Sequence, residues 1–164
     1  MNVTIQHIFD IPPADYATLY FEEPFAIALS QSAGIGRTLL RLDREPGRVV
    51  RHILCEAGRD VPAAIARLIE GGGFNYVEVI DFDLRALRGR WRVIPSIFAE
   101  RVRASGTLDF EDADGKVSRV VRGEVSVSIP AIGGLVERFV VAEVEKAYAA
   151  ASAFTRSYLE QRRG

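Results

Sequence analysis

The feature that most constrains this chain is its last thirty or so residues. From Gly133 to about Arg162, apolar side chains recur at three- and four-residue steps: Leu135, Val136, Phe139, Val140, Val144, Ala147, Tyr148, Ala151, Phe154, Tyr158 and Leu159. Arg138, Glu145, Lys146, Arg156 and Glu160 keep to the other side. Roughly 30 helical residues make a rod of about 45 Å, long for a chain of 164 residues, a length that suits one domain. A broad apolar stripe must be buried against a broad apolar partner, and the upstream sequence offers strands. The economical expectation is a curved antiparallel sheet of about seven strands wrapped around one long C-terminal helix.

The strands are read from alternation and turns. Asn2 to Phe9 alternates around Val3, Ile5, His7 and Phe9, and Ile11-Pro12-Pro13 ends it. Pro13 suits a helix start because its missing N–H would be unpaired there, so Ala14–Tyr20 and Pro24–Gln31 read as two short helices after strand 1. Ile35–Asp43 and Arg48–Ala57 form a hairpin through Glu45-Pro46-Gly47. An amphipathic helix follows from Asp60 to Glu70, with Val61, Ala64, Ile65, Leu68 and Ile69 on one face, stopped by Gly71-Gly72-Gly73. Phe74–Asp83 and Leu87–Ile94 make a second hairpin, and Phe98–Phe110 and Val117–Ile129 a third through Asp112-Ala113-Asp114-Gly115. In the last strand Val117, Val121, Val125, Val127 and Ile129 share one parity, and Ser118, Arg122, Glu124, Ser126 and Ser128 the other, giving one buried and one wet face.

Composition excludes several classes. Lys+Arg 21 against Asp+Glu 22 gives 21 − 22 = −1, so no bulk positive field is present to grasp nucleic acid. Cys55, His7 and His52 are too few for a Cys-rich zinc site, and no metal or other cofactor is expected. No stretch reaches the ~18 apolar residues of a membrane span, and Met1–Asp10 lacks the features of a secretory signal, so a cytoplasmic protein is expected. Phosphate loops, dinucleotide fingerprints, zinc-protease helices and nucleophile elbows are missing from the sequence.

The order of strand, two short helices, six strands and long terminal helix resembles the START-like (SRPBCC) superfamily, the helix-grip fold of the birch-pollen allergen, polyketide cyclases and lipid-transfer proteins. The resemblance spans essentially residues 1–164 as a single START-like ligand-binding domain. The runs NYVEVIDFD, RWRVIPS, SGTLDF and GEVSVSIPAIGGLVERFV, with the terminal AFTRSYL, look like an uncharacterised bacterial branch of it. The resemblance implies an α+β helix-grip fold with a cavity between sheet and helix, used across the superfamily for lipids, sterols, polyketides and hormones. It carries no shared catalytic motif, so function must be argued from the site.

Projection of the last helix puts Glu143 between Phe139, Val136 and Phe154, inside the sheet-facing stripe. A carboxylate there is paired, protonated or at the wet mouth of a cavity. Glu78 shares the parity of Phe74, Tyr76, Ile80 and Phe82, while Val77 and Val79 leave its facing open. Arg119 shares the apolar parity of its strand but is expected to reach solvent near the strand end. His7 lies on the apolar face of strand 1, as a core or rim histidine or as a general base. Cys55 is read as core. Tyr76, Trp91, Phe139 and Tyr148 are candidate cavity-lining residues, alongside Phe154. The segment bearing Val61, Ile65, Leu68 and Ile69 is a candidate lid, with transient membrane contact and ordinary packing as its other readings. The partner expected is a small hydrophobic ligand such as a lipid or polyketide-like molecule, bound for transport or sequestration. The alternatives are a cyclase, aromatase or hydratase working through Glu143, Glu78 or His7, and a partner-binding regulator.

Overall fold

The computed structural model describes residues 1–32, 36–56, 61–69 and 74–163. Strand β1 (Asn2–Phe9) leads into helices α1 (Pro13–Tyr20) and α2 (Glu23–Ser32). Strands β2 (Gly36–Glu45) and β3 (Arg48–Glu56) precede the short helix α3 (Ala63–Ala66). Strands β4 (Asn75–Asp83), β5 (Arg88–Pro95), β6 (Val102–Ala113) and β7 (Lys116–Val127) lead to α4 (Gly133–Arg163). The seven strands form one antiparallel sheet in the order β1-β7-β6-β5-β4-β3-β2. Consecutive hairpins thus run from β2 to β7, β1 adds beside β7, and the α1–α2 elbow carries the chain from one sheet edge to the other. This is the α+β helix-grip architecture expected from the sequence.

The turns follow local chemistry. Pro46-Gly47 closes the β2–β3 hairpin with Gly47 at φ 79°, a conformation glycine adopts without a Cβ clash. Asp114 and Gly115 both have positive φ, 54° and 83°, the pairing a two-residue turn needs to match strand twist. The sixth strand starts at Val102 and not at Phe98, because Phe98 has φ 54° and its carbonyl accepts from the Arg101 and Val102 N–H groups, a turn that precedes the ladder. Strand β2 carries an irregularity between Leu39 and Arg41 that leaves Leu40 exposed.

At the centre of the sheet, Trp91 of β5 lies over a recess in β6 and β7. Gly106 and Gly123 face each other across those strands, and a Cβ on Gly123 would sit 2.2 Å from Trp91 Cζ2. The indole N–H is shared between the Thr107 and Arg122 carbonyls, 3.2 Å from each. At one end of the hollow, α1 inserts an aromatic plug. Tyr16 packs on Phe110 with centroids 4.8 Å apart, Phe110 on Phe82 at 4.7 Å, and Phe82 on Phe21 at 5.1 Å.

Helix α4, 31 residues long, packs on β7, β1 and α2. Gly133 admits a tight entry, since a Cβ there would come within 2.5 Å of the Val127 carbonyl. Phe25 of α2 meets Phe154 and Tyr158 at 5.7 and 5.2 Å, and Arg163 pairs with Asp10 at 2.7 Å. The helix expected from Asp60 to Glu70 is a single turn, Ala63–Ala66, with turn structure through Ile69. Its N-cap is Pro62, whose side chain makes no capping hydrogen bond, and only Ile65 is buried, so one anchored residue holds a short turn. Asp60, Glu70 and the triple glycine lie outside the described residues.

Candidate functional site

The inward stripe of α4 changes character along its length. Near its start it presents Val136, Phe139 and Val140, and further on Ala147, Ala151 and Thr155. Small side chains on a helix that spans a concave sheet leave space unfilled, and a cavity lies there. Its volume is about 60 Å³, counted as room for the centre of a water-sized sphere, and its walls come from α1, α2, α4 and five strands. A second lobe of about 40 Å³ lies toward the start of α4, walled by Phe139, Val140, Glu143 and the apolar faces of β1, β5, β6 and β7. Tyr76, Trp91, Val93 and Val144 wall both lobes. One water needs about 10–15 Å³ on this measure, so each lobe accepts a small guest.

The lobes differ in chemistry. The smaller is apolar apart from Glu143, which is half-buried at its wall. The larger holds three guanidinium groups and one carboxylate: Arg37, Arg51, Arg119 and Glu78. Glu78 Oε1 lies 3.6 Å from Arg37 Nη2 and 4.0 Å from Arg51 Nη2. Arg51, 4% exposed, donates from Nη1 to the Tyr20 carbonyl at 3.0 Å and lies 4.6 Å from the Tyr20 ring centroid. Arg119, 2% exposed, is sandwiched between Phe9 and Tyr148 at 5.1 and 5.0 Å. It donates from Nη1 to the Tyr16 hydroxyl at 3.2 Å, and its Nη2 lies 3.1 Å from His7 Nδ1. The Nε–H groups of both Arg51 and Arg119 are buried and have no hydrogen-bond partner among the described residues.

Burial holds Tyr76 and Tyr148 of the lining, and Cys55 and Tyr16 outside it, in their protonated forms. It raises the Tyr76 and Tyr148 hydroxyls well above the ordinary tyrosine value. The Cys55 thiol is pushed up to about 11, by burial first and the Glu78 charge second, which fits the core role expected of it. The Tyr16 hydroxyl is pushed up to about 12 by burial, against the pull of Arg119.

Six of the sequence candidates meet around the two lobes: Tyr76 and Trp91 at both, Glu78 and Tyr148 at the larger, Phe139 and Glu143 at the smaller. The facing of Glu78, open in the sequence, is inward. His7 lines neither lobe and stands behind Arg119. Val61, Ile65, Leu68 and Ile69 also line neither. The expectation that Arg119 reaches solvent is corrected. It pairs in register with His7 and Phe110, well inside the sheet, where aromatic faces and the Tyr16 hydroxyl replace water. Arg37 and Arg51 escaped the sequence reading. Arg51 shares the parity of Val49, Ile53 and Cys55, a signal present in β3. Among the described residues no cluster of three His, Cys, Asp or Glu side chains is placed to hold a metal ion. No described helix is long and apolar enough to cross a membrane.

His7 gives the site a measurable pH signature. Its Nδ1 accepts from Arg119, so the neutral ring is the form the fold selects, and burial, then Arg119 and Arg156, hold its pKa below the ordinary value. A histidine lowered on folding contributes stability that is complete above the unfolded value of about 6.5 and is lost as pH falls through the lower folded value. Urea midpoints measured from pH 7.5 to 5 should therefore decline more steeply in the native protein than in His7→Gln; equal slopes would remove His7 as the cause.

Comparison with solved structures finds the same fold. The aromatase/cyclase Zhui from Streptomyces sp. R1128 superposes with a TM-score of 0.68 at 11% identity, covering 100% of this chain and 96% of that one. Ara h 8.0201 gives 0.61 at 17% identity, covering 96% and 98%. The ginseng major latex-like protein 151 from Panax ginseng gives 0.53 at 13% identity, covering 94% and 96%. A search of curated proteins finds no match. The family model described as "Protein of unknown function (DUF2505)" matches residues 4–159.

Proposed function

The chain belongs to the DUF2505 family, and from that premise and its internal hollow we propose that it binds a small hydrophobic molecule between the sheet and α4, for transport or sequestration. The observation that carries this reading is the two-lobed cavity itself. Small residues on α4 leave it open in an otherwise close-packed interior, and apolar side chains dominate its walls. Burial of a guest's apolar surface supplies the driving force, about 25 cal/mol per Å². Lipid and polyketide-like molecules are the ligand classes proposed, restricted by the lobes to short chains or one or two rings. A cytoplasmic, single-domain carrier is the form proposed.

Binding is favoured over acid–base catalysis by three placements. His7 is outside the cavity, the Tyr76 and Tyr148 hydroxyls hold their protons, and Glu78 is the counter-ion of two arginines. Of the candidate bases, Glu143, half-buried at the wall of the smaller lobe, is the one left beside a guest.

Trp91, the single tryptophan, walls both lobes and reports on occupancy. Native mass spectrometry of gently purified protein should reveal a carried small molecule, and titration with 1-octanol should change Trp91 emission saturably. Ala151→Leu, which adds three carbons to the lobe wall, should fold with unchanged or higher stability and lose at least about tenfold in octanol affinity. A protein that carries nothing and gives no saturable response would refute the reading, as would an Ala151→Leu variant that binds octanol as well as the native chain.

A further inference from the structure

The larger lobe carries more positive charge than the fold balances. Arg37, Arg51 and Arg119 face one carboxylate, Glu78, giving 3 − 1 = +2 in an interior site. Arg37 and Arg51 share that carboxylate. Arg119 has no carboxylate within 4.0 Å among the described residues; its neighbours are a phenol, a neutral imidazole and two aromatic faces. Cation–π contact offsets only part of the desolvation penalty of a buried ion. A chain that only had to fill this space with apolar atoms would be served by a methionine at position 119.

The unfilled hydrogen-bond capacity points the same way. Buried polar groups are ordinarily satisfied, yet two guanidinium groups in one lobe, each more than nine-tenths buried, keep an Nε–H without a partner among the described residues. Guanidinium groups recognise planar oxyanions through adjacent N–H pairs. Beyond Tyr76 and Trp91, the adjoining lobe offers apolar walls broken by one half-buried carboxylate, Glu143, with no cation among its lining residues. A charged hollow and an apolar hollow, side by side across Tyr76, Trp91, Val93 and Val144, form the complement of an amphiphile.

Resting on the cavity-binding reading above, we infer that the ligand is a small amphiphilic carboxylate, its anionic head between Arg51 and Arg119 and its apolar tail directed toward Phe139. The chemistry shared by its two sources, an aliphatic acid and an aryl acid, is the carboxylate, and the tail separates them.

Calorimetric titrations at pH 7.5 with matched pairs test this on the full chain: octanoate against 1-octanol, and 2-naphthoate against 2-naphthol. In at least one pair the acid should bind about tenfold or more tightly than the neutral partner, and the pair that shows it assigns the tail as aliphatic or aromatic. Arg119→Met should reduce that preference to below about threefold while retaining alcohol binding. Equal or weaker binding of both acids in the native chain overturns the anionic head and leaves the cavity reading intact, because the alcohols still bind. Failure of all four compounds, with no ligand carried through purification, overturns the cavity reading and this inference together. The native acid-to-alcohol ratio decides the matter even if Arg119→Met does not fold; if it folds and keeps the full preference, Arg119 is not the recognition group and the assignment falls.

Discussion

Gly106→Ala should destabilise the protein by on the order of 3 kcal/mol, a fall of about 10 °C in Tm for a chain of this size. A Cβ on Gly106 would stand 1.8 Å from the Arg122 carbonyl and 2.6 Å from Gly123 Cα. Both are backbone atoms, so no rotamer change relieves the clash and β6 must separate from β7. Trp91 rests on that crossing and hydrogen-bonds to carbonyls on each strand, so the displacement carries into the cavity wall. Gly134→Ala is the control. Its Cβ would meet Arg138 Nη1 at an ordinary 3.6 Å on α4, and alanine is the better helix former by up to about 1 kcal/mol. Thermal unfolding of the two variants should shift in opposite directions or leave Gly134→Ala unchanged. A Gly106→Ala protein within 2 °C of the native midpoint, a margin of about 0.5–1 kcal/mol, would mean that the strands part without cost.

Removing the charge of Glu78 should cost a similar amount, about 3 kcal/mol in Glu78→Gln, because two buried guanidinium groups then lose their shared counter-ion. Arg37 and Glu78 side chains are 17% and 13% exposed and Arg51 5%, so water screens the remaining repulsion poorly. The coupled variant Glu78→Gln with Arg37→Gln should recover more than about 1 kcal/mol, since it removes the unpaired cation along with its partner. Additive losses in this double-mutant cycle would show that the two residues act independently and that the lobe's charge balance has been misassigned.

The architecture was legible where periodicity was long. The stripe from Leu135 to Leu159 required a broad apolar partner and has one, and the alternation from Val117 to Val127 identified a strand. That strand's wet face begins only at Arg122, since Ser118, expected on that face, is buried and accepts from Gln6 Nε2. The candidate site was legible as shape. Tyr76, Trp91, Phe139 and Tyr148 were readable as wall residues because large side chains on an inward face have little choice. Charge was harder to read. Arg119 has the parity of Val117 and Val121, but a long flexible cation at a parity position ordinarily bends toward water, and only the third dimension supplies Phe9, Tyr16 and Tyr148 around it. Arg37 was obscured by the irregularity at Leu39/Arg41, which breaks the alternation that would have placed it with the inward set. The helix around Ile65 is shorter than its amphipathic spacing predicts, because its N-cap is Pro62, which has no side-chain acceptor, and Ile65 alone is buried.

That irregularity in β2 has a consequence for how such a sheet survives in a crowded solution. The strand is an open margin, with main-chain donors and acceptors available for a neighbouring chain to extend. The bulge interrupts its straight ladder, and the exposed Arg41–Asp43 pair, 2.5 Å apart, studs it with charge. A margin so roughened is a poor template for polymerisation. The molecule can therefore leave its sheet unclosed, and keep a hollow beneath it, without offering itself as the first layer of a fibre.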